Sequence, residues 1–203
     1  MLTIAWDVDD VLNDLTARWF ERWRAAHPDC HVGYDGLREN PPEALLGVSK
    51  ADYLDSLDQF RRAAAASPLR PRPELLEWFE RTGGGHRHVA LSAVPLEFAH
   101  LSAAWVTANF GKWIRSFNFV PSFRAAAGDL PDYFASKRDF LQWFGKVDLL
   151  VEDSGRNAAE AQGLGIKAVL FPQPWNIQAG EGVGSFLQRL DLTLADIKGK
   201  HDD

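Results

Sequence analysis

The chain has 203 residues, 46% of them hydrophobic, with 8 Trp and 13 Phe, enough apolar material for one core with at most a modest insert. Its formal net charge is −6 and no basic run is long enough to track a nucleic-acid backbone, which excludes a long polynucleotide as partner. The single Cys30 excludes an internal disulfide, and neither a basic leader with an apolar segment nor an apolar run near ~18 residues occurs, so the expectation is a cytoplasmic protein without a membrane partner.

A first strand is expected over 3–8, ending in Asp7-Val8-Asp9-Asp10-Val11-Leu12. Neighbouring carboxylates repel one another and resist desolvation, so a strand that ends this way calls for a cation. Hard oxygen donors suit Mg2+. Residues i and i+2 of a strand share a face, which would aim Asp7 and Asp9 into one cleft at the C-terminal sheet edge, where parallel α/β sheets bind ligands. Taken alone, the motif is equally a solvated turn followed by a helix N-cap.

Residues 14–72 show no strand pattern. Helices are expected over 14–26 (Leu15, Trp19, Phe20, Trp23), 42–46 and 49–66, with Ser49 as N-cap and Asp52 three residues on. The Pro-rich 67–73 then returns the chain in extended form. We read 14–72 as a helical cap inserted after the first strand, over the cleft. Trp19, Trp23, Tyr34, Tyr53 and Phe60 are expected to pack it or dock it on the core, with one or two left to stack on a base. The run 63–66 reads as a close helix-packing face.

From 73 onward helical and strand-like segments alternate. Helices are expected over 73–81, 96–110, 136–144 and 156–163, and strands over 88–92, 116–120, 149–152 and 168–171. Such alternation implies a parallel sheet covered on both faces, so residues 1–13 and 73–198 would form the α/β core. Trp6 and Trp78 belong to that core. Gly83-Gly84-Gly85 reads as a helix stop, His86-Arg87-His88 as a solvated lead into a strand, and 198–203 as a frayed tail. The six His lack H-x-x-x-H or similar spacing, which argues against zinc.

Three further motifs carry chemistry. Ser92, at the end of the second strand, can hydrogen-bond a phosphoryl oxygen, as can the backbone of the turn at Ala93. Lys137 or Arg138, at a helix start, can reach a phosphate near that N-terminus. Glu152-Asp153 is a second acidic strand end. Beside the first it would complete a cage of three or four carboxylates for one Mg2+.

In this order the motifs Asp7-Val8-Asp9-Asp10-Val11-Leu12, Ser92, Lys137 and Glu152-Asp153 resemble those of the haloacid dehalogenase superfamily. Within it, the helical insert and Phe171-Pro172-Gln173-Pro174-Trp175-Asn176 look most like the 5'(3')-deoxyribonucleotidase family, the resemblance running from Leu2 to Asn176. It implies a Rossmann-like doubly wound parallel sheet with a small helical cap. It also implies a Mg2+-dependent phosphomonoesterase acting on a small phosphorylated metabolite such as a deoxynucleoside monophosphate. Asp7 would be the nucleophile, Asp9 the acid and base, and Lys137 and Ser92 the phosphate ligands. Asp7, the Asp9 backbone carbonyl, Asp153 and Glu152 would hold the metal.

The chain departs from the family pattern in four places. Asp10 stands where Gly is common, Ala93 replaces a second hydroxyl, no basic residue falls within 101–105, and the acidic pair is Glu-Asp. A sugar-phosphate phosphatase and a non-catalytic Mg2+- or phospholigand-binding regulator are the alternatives. Retention of Asp9 argues against a dehalogenase, and the long insert against a receiver domain. A monomer or homodimer is expected.

Overall fold

The computed structural model describes residues 1–64, 69–122 and 134–202, with side chains to residue 200. Five strands, β1 (Thr3–Trp6), β2 (Arg87–Ala93), β3 (Ile114–Val120), β4 (Leu149–Glu152) and β5 (Lys167–Leu170), form one sheet in the order β3-β2-β1-β4-β5. Every neighbouring pair is parallel. Helices α4 (Pro73–Arg81), α5 (Leu96–Phe110), α6 (Lys137–Phe144), α7 (Gly155–Gln162) and α8 (Val183–Asp202) cover it. This is the Rossmann-like doubly wound architecture expected.

The strand pleat sorts side chains between the two faces. Ile4, Trp6, Ala90, Leu149 and Val151 pack with Trp78 and Phe79 of α4, Phe110 of α5 and Phe186 and Leu190 of α8. Ala5, Val89, Leu91 and Leu150 pack instead with Phe140 and Leu141 of α6 and Ala161 of α7. Trp6 and Trp78 are fully buried, their rings 5.5 Å apart, and the Trp78 Nε1–H donates to Asp191 on α8 at 2.7 Å. Burying a side chain such as Phe79 or Phe186 stabilises the fold by about 2–3 kcal/mol.

Several expectations are corrected. β1 ends at Trp6, although the Asp7 N–H still donates to the Val151 carbonyl at 2.9 Å. The segment 86–88 is not a solvated lead: His86 and His88 are buried and β2 already begins at Arg87. His88 is held from both sides, by the Trp6 Nε1–H on Nδ1 at 3.0 Å and by the Gly83 carbonyl at Nε2, 2.8 Å away. Of the tail expected to fray, 198–202 continue α8, whose Phe186, Leu190, Leu194 and Ile197 are buried along one side, and residue 203 lies outside the described residues.

Between β1 and α4 the chain forms α1 (Leu15–Ala26), α2 (Glu43–Leu46) and α3 (Lys50–Ala64). They build a separate apolar cluster of Leu15, Trp19, Phe20, Trp23, Leu37, Tyr53 and Leu57, with Tyr34 and Phe60 packed against it. The aromatic residues of this segment therefore pack. Ser49 caps α3 as expected, its hydroxyl accepting from the Asp52 N–H at 3.1 Å and donating to the Asp52 carboxylate at 2.7 Å. The chain leaves the sheet and returns at one place, where the Arg72 N–H and Nε donate to the Leu12 and Val11 carbonyls, both at 3.1 Å. Residues 65 and 66 of the expected helix and packing run, and 67 and 68 of the extended return, lie outside the described residues. Among the described residues, no helix is long and apolar enough to cross a membrane.

Candidate active site

The C-terminal ends of β2, β1 and β4 lie side by side, and chain order reverses between β1 and β4. Parallel sheets open a crevice at such a reversal, because the loops on either side diverge to opposite faces. Asp7, Asp9, Asp10, Ser92, Ala93, Lys137, Glu152 and Asp153 all line one cavity there, of about 200 Å³. The structure thus brings the expected site residues together.

Asp7 and Asp9 reach the cleft by a different route from the one the strand pleat suggests. Asp7 follows the last residue of β1, and its Oδ1 accepts the Val8 N–H at 2.8 Å. A single wide turn, Val8–Leu12, comes next, closed by the Asn13 N–H on the Val8 carbonyl at 3.2 Å. Within it Asp10 has φ +64°, the left-handed region that glycine adopts most freely and Asp more readily than most other residues. Its buried carboxylate is held by the Thr16 N–H at 2.8 Å and by the Thr16 hydroxyl, so it satisfies the start of α1. Burial pushes the Asp10 carboxyl up to about 6, against the pull of the Thr16 hydrogen bonds. Of the three acids, Asp10 fits the capping interpretation, while Asp7 and Asp9 look into the cavity.

Ser136 caps α6 through the Asp139 N–H at 3.1 Å and so places Lys137 on the first turn. The Lys137 ammonium is buried 2.7 Å from Asp7 Oδ1 and 2.7 Å from Glu152 Oε2, whereas Arg138 is exposed. The choice between the two basic residues is settled by helix geometry. Burial alone would discharge Lys137, but Asp7 and Glu152 hold its pKa above the ordinary lysine range. Burial would likewise raise Glu152, but Lys137 pulls it below the usual carboxylate range. Its Oε1 accepts from the Ser154 N–H at 3.3 Å and Asn157 Nδ2 at 3.2 Å.

Asp7 and Asp153 go the other way. Burial first, then the charge of Glu152, push both well above the ordinary range. Asp153 is fixed by the 171–176 segment: Trp175 Nε1–H donates to Oδ2 at 2.8 Å, and Asn176 Nδ2 to the Asp153 and Phe171 carbonyls, each at 2.8 Å. One carboxylate oxygen from each of Asp7, Glu152 and Asp153 lies within 4.8 Å of the others. Two of these carboxylates flank the one ammonium and the third lies beside them, a buried set of hard oxygen donors that outnumbers its cation and fits a divalent ion such as Mg2+.

Ser92 is 1% exposed, its Oγ has no hydrogen-bond partner among the described residues, and it borders this cavity. A buried hydroxyl without a partner is costly, and an anionic ligand in the cavity would satisfy it. Sequence reasoning missed Arg61 on α3, whose Nη2 lies 3.0 Å from Asp9 Oδ2. Its one signal was a basic last turn in a helix of the insert, which does not tell how far the side chain reaches. Asn157, in the Gly155-Arg156-Asn157 turn after the acidic pair, has no role assigned from sequence and here donates to the Glu152 carboxylate.

No protein-family model matches the sequence, and no curated protein does. Solved structures do match in fold. A haloacid dehalogenase-like protein from Agrobacterium tumefaciens aligns at TM-score 0.58 and 16% identity, over 83% of this chain and 82% of that one. A haloacid dehalogenase-like family hydrolase from Xanthomonas campestris aligns at TM-score 0.56 and 10% identity, over 98% and 94%. A candidate phosphoglycolate phosphatase from Lactobacillus plantarum aligns at TM-score 0.54 and 13% identity, over 89% and 90%. The fold of this chain is that of the haloacid dehalogenase-like proteins.

Proposed function

We propose that the protein is a Mg2+-dependent phosphomonoesterase using Asp7 as nucleophile. The observation that carries this reading is the Lys137 ammonium, 2.7 Å from Asp7, in a cavity also bordered by the unpartnered Ser92 hydroxyl. A carboxylate is a weak base, so it attacks phosphorus only where the phosphoryl charge is neutralised. Lys137, Ser92 and the backbone at Ala93 provide that neutralisation from the protein side. Asp7, Glu152 and Asp153, with the Asp9 carbonyl, would hold Mg2+, which supplies Lewis-acid polarisation of a phosphoryl oxygen when bound.

An Asp7 carboxylate oxygen bonds to phosphorus as the phosphorus–oxygen bond to the leaving group breaks. Asp9 gives its proton to that departing oxygen. Water then adds to the aspartyl-phosphate, Asp9 takes a proton from it, and the bond to Asp7 breaks. The products are an alcohol and inorganic phosphate, with Asp7 and Asp9 restored. The helices of residues 14–72 form a cap over the cleft that excludes water and selects the leaving group, with residues 1–13 and 73–198 as the core.

The finer reading, a deoxyribonucleotidase, is supported by the helical insert and by the way Trp175 and Asn176 hold Asp153. The test is phosphate release from deoxynucleoside and sugar monophosphates, with Mg2+ and with EDTA, beside Asp7→Asn protein. Turnover that needs Mg2+ and vanishes in Asp7→Asn is expected, and preference within the panel decides the nucleotide question. No turnover above the variant, with Mg2+ still bound, would overturn the reading in favour of a non-catalytic regulator.

A further inference from the structure

A second cavity, of about 310 Å³, lies directly beside the site and shares Asp9, Leu15 and Arg61 with it. Its two ends differ in character. The end toward the site carries the Asp9–Arg61 ion pair, while the rest of the wall is largely Leu69, Phe98, Leu101, Ala104, Trp105 and Ala108. The other polar side chains of the wall are Asn13, Ser102, Trp105 and Asn109, and their donors are in part committed. Asn13 Nδ2 donates to Asp9 Oδ1 at 3.2 Å, Trp105 Nε1–H to the Leu69 carbonyl at 2.6 Å, and Asn109 Nδ2 to the Trp105 carbonyl at 2.8 Å.

We infer that this cavity seats the leaving group, and that the substrate is a phosphomonoester of an apolar alcohol the size of one or two rings. The inference rests on the phosphomonoesterase reading, names its substrate class, and sets an apolar alcohol in place of the deoxynucleoside of the finer reading. Asp9 protonates the departing oxygen, so the leaving group must extend to the Asp9 side of the site, and this cavity opens there. An engineered cavity of about 150 Å³ already accepts benzene, and small-molecule pockets begin near about 300 Å³. The donors and acceptors of a sugar or a nucleobase that face the inner wall of Leu69, Phe98, Leu101 and Trp105, away from the exposed rim at Ala104 and Ala108, would find few partners, at about 1–3 kcal/mol for each unmet group. An apolar alcohol leaves none unmet, and its single polar end, the phosphate, falls beside Arg61 and Ser92.

The experiment compares kcat/KM for 2-phenylethyl phosphate, ethyl phosphate and glucose 6-phosphate in the presence of Mg2+. All three are esters of primary alcohols, so intrinsic leaving ability differs little and the cavity decides. A preference of at least about tenfold for the phenylethyl ester over both others is expected. Ala108→Phe, which fills the cavity, and Leu101→Asn, which makes its wall polar, should each cut the phenylethyl-to-ethyl ratio by about tenfold. Isothermal titration with 2-phenylethanol should show binding that both variants weaken. Equal or better turnover of glucose 6-phosphate, or a ratio that neither variant moves, would overturn the assignment and leave the phosphomonoesterase reading standing. Absence of turnover of every ester above the Asp7→Asn background would overturn that reading and this inference with it.

Discussion

Arg61 and Asp9 meet at 3.0 Å across the junction between α3 and the turn that follows β1. The pair is mostly shielded, with side chains 12% and 20% exposed, and it is flanked by Asp58 at 3.7 Å from Arg61. It ties the helical segment to the acid that the proposed chemistry uses twice. It also puts a guanidinium where the sequence of α5 offers no cation for a phosphate.

Arg61→Gln is therefore expected to weaken competitive inhibition by inorganic phosphate by about tenfold, since one charge-assisted hydrogen bond stabilises by about 1.5–3 kcal/mol. Arg61→Lys should recover part of the loss, because it restores charge without the fork. Unfolding stability should fall by about 1–3 kcal/mol, because the pair is mostly shielded and Asp9 loses a charged partner. An inhibition constant that stays at the wild-type value in Arg61→Gln would assign the residue to docking of the helical segment alone.

Asp10 makes a separable prediction about the backbone. Asp10→Gly relieves a left-handed conformation that costs other residues about 1–2 kcal/mol, but loses both bonds from Thr16. Asp10→Ala keeps the conformational cost and loses the bonds as well. Urea unfolding should rank wild type above Asp10→Gly and Asp10→Gly above Asp10→Ala, with the last about 2–3 kcal/mol below wild type. If Asp10→Gly proves more stable than wild type, the contacts with Thr16 contribute little.

These two residues mark how far the sequence could be read. The sheet and the helices α4 to α7 follow from alternation of apolar runs, and the acidic ends of β1 and β4 from local signals in the chain. The convergence of Ser92 and Lys137 on Asp7, Glu152 and Asp153 is instead implied by the family resemblance. Arg61 reaches Asp9 from 52 positions away, and nothing local encodes that contact. The turn at Asp10 is one of two readings and cannot be chosen locally, because a D-x-D-D run fits an extended strand as well as a turn. α8 was not read from the sequence: Phe186, Leu190, Leu194 and Ile197 stand at helical spacing, but the glycines at 180, 182 and 184 read as loop and hid its start. His88 was misjudged because its polarity suggests solvent. Its ring is instead a core component with both nitrogens engaged.

His88 predicts an acid sensitivity. Trp6 donates to Nδ1, so Nε2 bears the hydrogen and donates to Gly83, and a proton on Nδ1 would break the Trp6 bond. Burial pushes the ring down to about 4, below the unfolded value near 6.5. The unfolded chain therefore binds the proton first, and stability present above about pH 6.5 is lost as pH falls toward 4, by about 3 kcal/mol in full. His86, lowered by burial as well, adds in the same direction. Chemical unfolding at a series of pH values should show this slope, and His88→Gln, which can accept from Trp6 and donate to Gly83, should flatten it. An unchanged slope in His88→Gln would place the acid sensitivity elsewhere.

The carboxylate cluster predicts the response to metal. Asp7 and Glu152 flank a single ammonium with Asp153 beside them, and burial and the charge of Glu152 have pushed Asp7 and Asp153 above their ordinary range, a penalty on their ionisation that a divalent ion would relieve. An ion that binds only the folded state stabilises it by about 2.7 kcal/mol at a hundredfold excess over Kd. Millimolar Mg2+ should raise the Tm of the wild type, EDTA should reverse the rise, and Asp153→Asn should shrink it. Lys137→Met separates this from a general salt effect. Without metal it leaves Asp7 and Glu152 buried and unpaired, at about 3–5 kcal/mol. With Mg2+ it should gain more Tm than the wild type, because three negative charges then face the ion instead of three balanced in part by an ammonium. A wild-type Tm that Mg2+ leaves unmoved would mean that Lys137 alone balances the cluster, and the carboxylates would then serve to hold the lysine.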